Sequence, residues 1–225
     1  MQLNKSDLNV YTALYELSTE RPVFGSEADF QFALAWKIKE LYPKAEIRLE
    51  ECWIEEYYDD DGSGDGKNRY IDLVVELDGE IIPIELKYKT AKFRGEVNGR
   101  FYNLKPQGAR DIGGYLFAED IRQVESYIGQ SSGKINRGYA VLLTSEKGYW
   151  ELDGKGRLYE DFALPDRKLL EKRLKWHLPQ TENKAMHWTD KYPPITLDGK
   201  YLIDWQLWDN SPAGDFRFIV MEVRK

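Results

Sequence analysis

Cysteine, histidine and long apolar runs are what this sequence has least of. Cys52 is the single cysteine in 225 residues, which excludes an internal disulfide and any Cys-rich zinc site. His177 and His187 have no cysteine partners and sit ten positions apart, so zinc is not expected, and both read as surface or interface residues rather than catalytic bases. No stretch approaches the roughly 18 apolar residues of a membrane span, and no basic-then-apolar leader opens the chain. A cytoplasmic protein with no membrane partner is therefore expected. Neither an internal repeat nor a linker divides the sequence, and a chain of this length can bury a core as one domain over residues 1–225.

Aromatic residues are plentiful, with 7 Trp and 15 Tyr, and the net charge is −7. An acidic chain is a poor general coat for nucleic acid, because phosphate binding depends on clustered Lys and Arg. The charge is segregated, however. Residues 45–65 hold nine acidic side chains against Arg48 alone, whereas residues 87–110 hold seven basic side chains against Glu96 alone. That run leaves room for a local phosphate site, and two solvated charged surfaces are the plainer explanation.

Helical spacing of Leu8, Tyr11, Leu14 and Tyr15 after Ser6 predicts a first helix to about Ser18. Ser26 and Asp29 form a capping box for a second, whose stripe of Leu34, Ile38 and Leu41 ends at Pro43. Residues 45–57 read as a strand, 58–69 as a polar turn, and 71–89 as a hairpin. A basic loop leads to a helical region over about 106–128, with Phe117, Ile121, Val124 and Ile128 inward and Gly113-Gly114 as a candidate break. A buried strand from Arg137, a basic helix over about 166–177 and two closing strands complete an α/β or α+β fold, helices around a mixed sheet.

The hairpin "IDLVVELDGEIIPIELKYK" carries the chemistry. A two-residue type I′ turn at Asp78-Gly79 pairs residues whose numbers sum to 157. Ile71, Leu73 and Val75 then form an apolar face with Ile82, Ile84 and Leu86, while Asp72 falls opposite Glu85 with Lys87 one pleat away. Two carboxylates at about 4 Å repel by roughly 4 kcal/mol at an effective dielectric near 20. A divalent cation reverses that sign, and magnesium suits one or two carboxylates with water and phosphate oxygens as its other ligands. A solvated face with a surface ion pair is the alternative for so short a pattern.

"RYIDLVVELDGEIIPIELKYK" resembles the PD-(D/E)XK nuclease superfamily, with Asp72 as the motif aspartate and Glu85-Leu86-Lys87 as the (D/E)XK element; Ile71 replaces the proline. The superfamily order of helix, strand, motif-bearing hairpin, helix and strand matches residues 26–145. The resemblance implies a restriction-endonuclease-like mixed sheet with a core of about 26–145 and a C-terminal β-rich elaboration of about 146–225. It further implies a Mg2+-dependent hydrolase (Mn2+ would also serve) that cuts phosphodiester bonds of DNA. Asp72, Glu85 and the Leu86 carbonyl would hold the metal and Lys87 would assist the attacking water. Glu27 matches the glutamate that many members place on the first core helix, reaching the metal. Gln107, Asp111 and Tyr115, spaced i, i+4, i+8, are candidates for the glutamine and tyrosine that some subgroups direct at the site. With no recognition domain visible, specificity would come from loops, a homodimer or a partner protein.

Other readings compete. "DGSGDGKNRYID" imitates a calcium loop, with Asp61, Ser63, Asp65, Gly66 and Asp72 at positions 1, 3, 5, 6 and 12, but Asn68 stands where an apolar anchor belongs and a strand follows. The whole fold could instead be a catalytically inactive nuclease-like module that binds nucleic acid or protein. Trp205 and Trp208 fall on opposite faces of their strand, one for the core and one for an oligomer contact.

Overall fold

The computed structural model describes residues 8–58, 64–177 and 191–225. Helices α1 (Val10–Glu20) and α2 (Glu27–Leu41) come first, then strands β1 (Glu46–Tyr58), β2 (Gly64–Leu77) and β3 (Glu80–Lys89). A ribbon of β4 (Phe93–Val97) and β5 (Arg100–Leu104) leads into α3 (Arg110–Gln130) and β6 (Arg137–Thr144). The short α4 (Gly148–Glu151) and a 3-10 turn at Glu160–Phe162 precede β7 (Leu169–Leu174), β8 (Ile195–Leu202), β9 (Gln206–Ser211) and β10 (Gly214–Arg224).

Six strands form one mixed sheet in the order β1-β2-β3-β6-β10-β9. Only β3 and β6 run parallel; the other neighbours are antiparallel. Every residue of β6 is buried, as expected of a near-continuous apolar strand covered on both faces. Alternation along β6 and β10 divides the core in two. Tyr139, Val141, Leu143, Phe216, Phe218 and Val220 pack under α1 and α2, while Ala140, Leu142, Ile219, Met221 and Val223 pack under α3 and the β7–β8 pair.

Several local expectations need correction. The first helix is capped by Asn9, whose side chain accepts from the Thr12 N–H at 3.0 Å; Ser6 lies outside the described residues. Ser26 caps α2 as expected, yet the Asp29 carboxylate accepts from Gly25 N–H and Arg21 instead of closing a capping box. α3 passes unbroken through Gly113-Gly114. Residues 64–69 are strand, not turn, since β1 and β2 pair out to Tyr58 with Gly64. The calcium-loop pattern fails accordingly: Asp65 to Asp72 lie on extended β2, and Asp61 and Ser63 lie outside the described residues.

The basic "helix" near 166–177 is strand β7, paired with β8. Leu170, Leu174 and Trp176 are its buried residues, a spacing of four and then two that fits either period. A register shift between Glu171 and Lys172, with Lys172 at φ 61, interrupts the strand alternation that would have identified it. Both tryptophans are core. Trp205 donates its indole N–H to the Leu164 carbonyl on the α3 side, and Trp208 donates to the Arg21 carbonyl on the α1–α2 side, so neither is exposed for an oligomer contact. Finally, β10 pairs along the whole of β6, which makes the last strands part of the central sheet. Among the described residues, no helix is long and apolar enough to cross a membrane.

Candidate active site

The hairpin that places the candidate residues is built as its turn requires. Asp78 and Gly79 both have positive φ, 51° and 85°, the type I′ geometry that matches strand twist. Pairing runs from Leu77 with Glu80 to Leu73 with Ile84, each pair summing to 157 as expected. The ladder stops there. The predicted pairing of Asp72 with Glu85 does not follow, because β2 turns away from β3 at that level.

The break coincides with an irregular step on the other side of β2. Glu50 in β1 has φ 52, a region that non-glycine residues rarely adopt. Pairing passes from Leu49 with Leu73 to Glu51 with Ile71, and the alternation is lost across the step. Leu73 packs under α2 while Ile71 packs on the α3 side, which corrects the single apolar face expected for Ile71, Leu73 and Val75.

Where the strands part, side chains take over the backbone groups. Asp72 Oδ2 accepts the Leu86 N–H at 2.6 Å, and Glu27 Oε2 accepts the Tyr88 N–H at 2.7 Å. Gln31 Nε2, from α2, donates to the Asp72 carbonyl at 2.5 Å and to Glu50 Oε1 at 2.8 Å. A buried backbone N–H or C=O must find a partner, so opening the ladder makes carboxylates at these positions structurally useful as well as chemically available. Glu27 thus reaches the sheet from the first turn of α2, as its helical stripe predicts, and Lys89 lies 3.9 Å from it.

Glu85 and Lys87 face α3. Glu85 is 3% exposed and accepts the Tyr127 hydroxyl at 2.8 Å. That hydroxyl also lies 3.2 Å from Gln123 Oε1, but it has one proton to give. Lys87 Nζ sits 3.1 Å from Asp120 Oδ2 and 3.3 Å from the Leu86 carbonyl. Asp120, Gln123 and Tyr127 were not singled out from the sequence. Their spacing of three and four along α3 is the signal that could have found them, since it aligns them on the face presented to β3.

The electrostatics follow from burial. Burial pushes Asp72 above the usual carboxylate range against the opposing pull of Lys87 and the Leu86 N–H. Glu85 is pushed well above it by burial, reinforced by Asp120 and Asp72, and burial pushes Asp120 up to about 7. Burial alone would lower Lys87; Asp120, Asp72, Glu27 and Glu85 together more than offset this and hold it above its ordinary value. Carboxylate charge therefore exceeds the cation available to balance it. Tyr127→Phe, which removes the hydroxyl from buried Glu85, is expected to cost about 1–3 kcal/mol at pH 8 by urea unfolding; an unchanged midpoint would show that the hydroxyl carries no weight there.

The remaining candidates lie elsewhere. Gln107 precedes α3, exposed, with its backbone N–H on the Thr90 carbonyl. Asp111 accepts its neighbour's Ile112 N–H at 2.9 Å. Tyr115 is buried in an aromatic cluster with Phe162, Trp176 and Tyr192, so the even spacing of the three candidates does not bring them to one face. His177 contacts Asp161 at 2.8 Å, and His187 lies outside the described residues.

Among the described residues, no group of three or more His, Cys, Asp or Glu side chains is closely enough convergent to form a ready metal cage. What the site offers instead is two carboxylates, a backbone carbonyl and an ammonium at one break in a sheet. Comparison of the chain with protein-family models, with curated proteins and with solved structures finds no match.

Proposed function

We propose that this chain is a Mg2+-dependent nuclease with a restriction-endonuclease-like core, hydrolysing phosphodiester bonds of DNA at the break between β2 and β3. The observation that carries the reading is the gathering of Asp72, Glu85, Lys87 and Glu27 around β3, each tied to the strand or to α3 by the contacts described above. The run of α2, β1, the β2–β3 hairpin, α3 and β6 supports it, since the resemblance implies that order.

The donor set fits a hard divalent cation in kind. Asp72 and Glu85 supply carboxylate oxygens and Leu86 a carbonyl, a complement that leaves room for water and phosphate oxygens. Asp120 Oδ2 is buried against Lys87 Nζ at 3.1 Å, so the one ammonium at the site is already engaged while Asp72 and Glu85 crowd the same place. Asp72, Glu85 and the Leu86 carbonyl would hold the ion, with Glu27 completing the acidic wall. Bound there, Mg2+ or Mn2+ supplies Lewis-acid polarisation of a phosphoryl oxygen and a more acidic water. Lys87 orients the attacking water and places positive charge beside the phosphorus as negative charge develops. Asp120 and Tyr127 position Lys87 and Glu85 through the contacts they make.

The test is cleavage of labelled single- and double-stranded DNA and RNA with Mg2+, Mn2+ or EDTA by the wild type, Asp72→Asn and Glu85→Gln. Metal-dependent cleavage lost by at least a hundredfold in both variants is the expected result. Activity retained in both would overturn the site. A folded wild type that neither cleaves nor gains thermal stability from either metal would leave the inactive binding module as the better account.

A further inference from the structure

The stretch between Lys89 and α3, read from sequence as a basic loop, is an ordered ribbon. Asn98 and Gly99 both take positive φ, 50° and 74°, in a two-residue turn that joins Val97 to Arg100. Its pairs, Phe93 with Leu104 and Gly95 with Tyr102 among them, give it two unlike faces. Val97 and Leu104 are buried in the core on the α1–α2 side, with Phe93 and Tyr102 packed against them, and the Tyr102 hydroxyl donates to the Val23 carbonyl at 3.3 Å. The opposite face carries Arg94, Glu96, Phe101 and Asn103, all exposed.

That outer face is unusual for an acidic molecule. Phe101 is 62% exposed, with the Arg94 guanidinium 5.9 Å from its ring centroid. Lys92 and Lys105, also exposed, continue the same face by strand alternation at the root of the ribbon, whereas Arg100 shares the face of Val97 and Tyr102. Among the described residues, none of Lys92, Arg94, Arg100 and Lys105 has a carboxylate within ion-pairing distance, although Arg21, Lys37, Arg48 and Arg137 are all paired. Three unbalanced cations along the face of one exposed ring, against Glu96 as its single carboxylate, make a surface complementary to an anion that also presents flat apolar faces.

The ribbon is rooted beside the candidate active site. Thr90 Oγ1 donates to the Lys105 carbonyl at 2.8 Å, and the Gln107 N–H donates to the Thr90 carbonyl at 3.0 Å. Thr90 is three residues beyond Lys87, about 10 Å at the rise of a strand. The ribbon thus springs from the strand that carries Glu85 and Lys87.

We infer that the outer face of β4–β5 binds single-stranded nucleic acid, a base stacking on Phe101 while Lys92, Arg94 and Lys105 take the flanking phosphates. Stacking on an aromatic side chain requires an unpaired base, and phosphate contacts track the strand on either side. A duplex would use the cations alone. This deepens the nuclease reading by naming the substrate form that its site receives, and it rests on that reading for the cleavage that follows.

Binding is measured by fluorescence anisotropy of a labelled thymidylate 15-mer, and of a duplex of equal length, with the full chain in EDTA. The wild type should prefer the single strand. Phe101→Ala should weaken single-strand binding about tenfold or more while leaving duplex binding unchanged. The Arg94→Ala/Lys105→Ala pair should lower the log–log salt slope by about 1.4. Both side chains are exposed, and circular dichroism checks that the variants fold. Equal binding by wild type and all variants, or a duplex preference indifferent to Phe101, would overturn the inference. Because EDTA removes catalysis, binding that depends on Phe101 without any Mg2+-dependent cleavage would uphold the ribbon and sink the nuclease reading. Cleavage indifferent to Phe101, Arg94 and Lys105 would do the reverse.

Discussion

Lys87→Met is expected to destabilise the fold by about 3–5 kcal/mol at pH 8 without added divalent cation, and by far less at pH 5. The side chain is replaced by one of similar length, so little packing is lost. What disappears is the cation beside buried Asp120, Asp72 and Glu85. Removing one partner of a buried pair leaves the other charge uncompensated, which is why the loss exceeds that of a surface pair.

The pH dependence has a defined sign. Burial holds Asp120 up at about 7 against an ordinary value of 3.8, so the folded state keeps a proton that the unfolded chain has released. Such a group contributes stability that is present at acid pH and lost as pH rises, at roughly 1.4 kcal/mol per pH unit for one proton. Without Lys87, Asp120 and Glu85 are held higher still, and the window of loss extends through neutral pH. Urea unfolding at pH 5 and pH 8 measures it. The Lys87→Met/Asp120→Asn double variant should recover part of the pH 8 loss, because the stranded carboxylate goes with its partner. A loss equal at both pH values, or a double variant no better than the sum of its parts, would show that Lys87 matters only through packing.

The second large effect concerns two glycines in one helix. Gly114→Ala should cost roughly 1–3 kcal/mol or more, while Gly129→Ala should stabilise by about 0.5–1 kcal/mol. A Cβ at Gly114 would fall well inside contact distance of the Phe162 carbonyl oxygen, backbone that a rotamer change cannot move. At Gly129, near the exposed end of α3, a Cβ meets nothing within 4 Å, and alanine simply has the better helix propensity. Thermal unfolding of the two variants should move in opposite directions. Shifts of the same sign would mean that α3 and the 3-10 turn at Glu160–Phe162 do not approach as closely as described.

Those glycines also show where local sequence misleads. Gly113-Gly114 reads as a helix break by propensity, but α3 needs glycine there because another segment crosses it, and no pattern within α3 reveals the crossing. The same holds for β7, where a register shift disguised a strand as a helix, and for Tyr115, which faces an aromatic cluster contributed by distant residues. Tertiary contact overrode propensity in all three.

What the sequence determined by itself was local and periodic: the capped α2, the type I′ hairpin with its register as far as Leu73 and Ile84, the inward stripe of α3, and the candidates Asp72, Glu85, Lys87 and Glu27. Turn chemistry and side-chain period act over a few residues, so they can be read from a few residues. The tertiary structure alone decided that the hairpin opens at Asp72 and that carboxylates, not strand partners, satisfy Leu86 and Tyr88. It also decided that Gln31, Asp120 and Tyr127 close the site. Those outcomes go with the irregular step that β1 and β2 take at Glu50 and with α2 and α3 being laid over opposite faces of the sheet, contacts between segments far apart in the chain that no local pattern encodes.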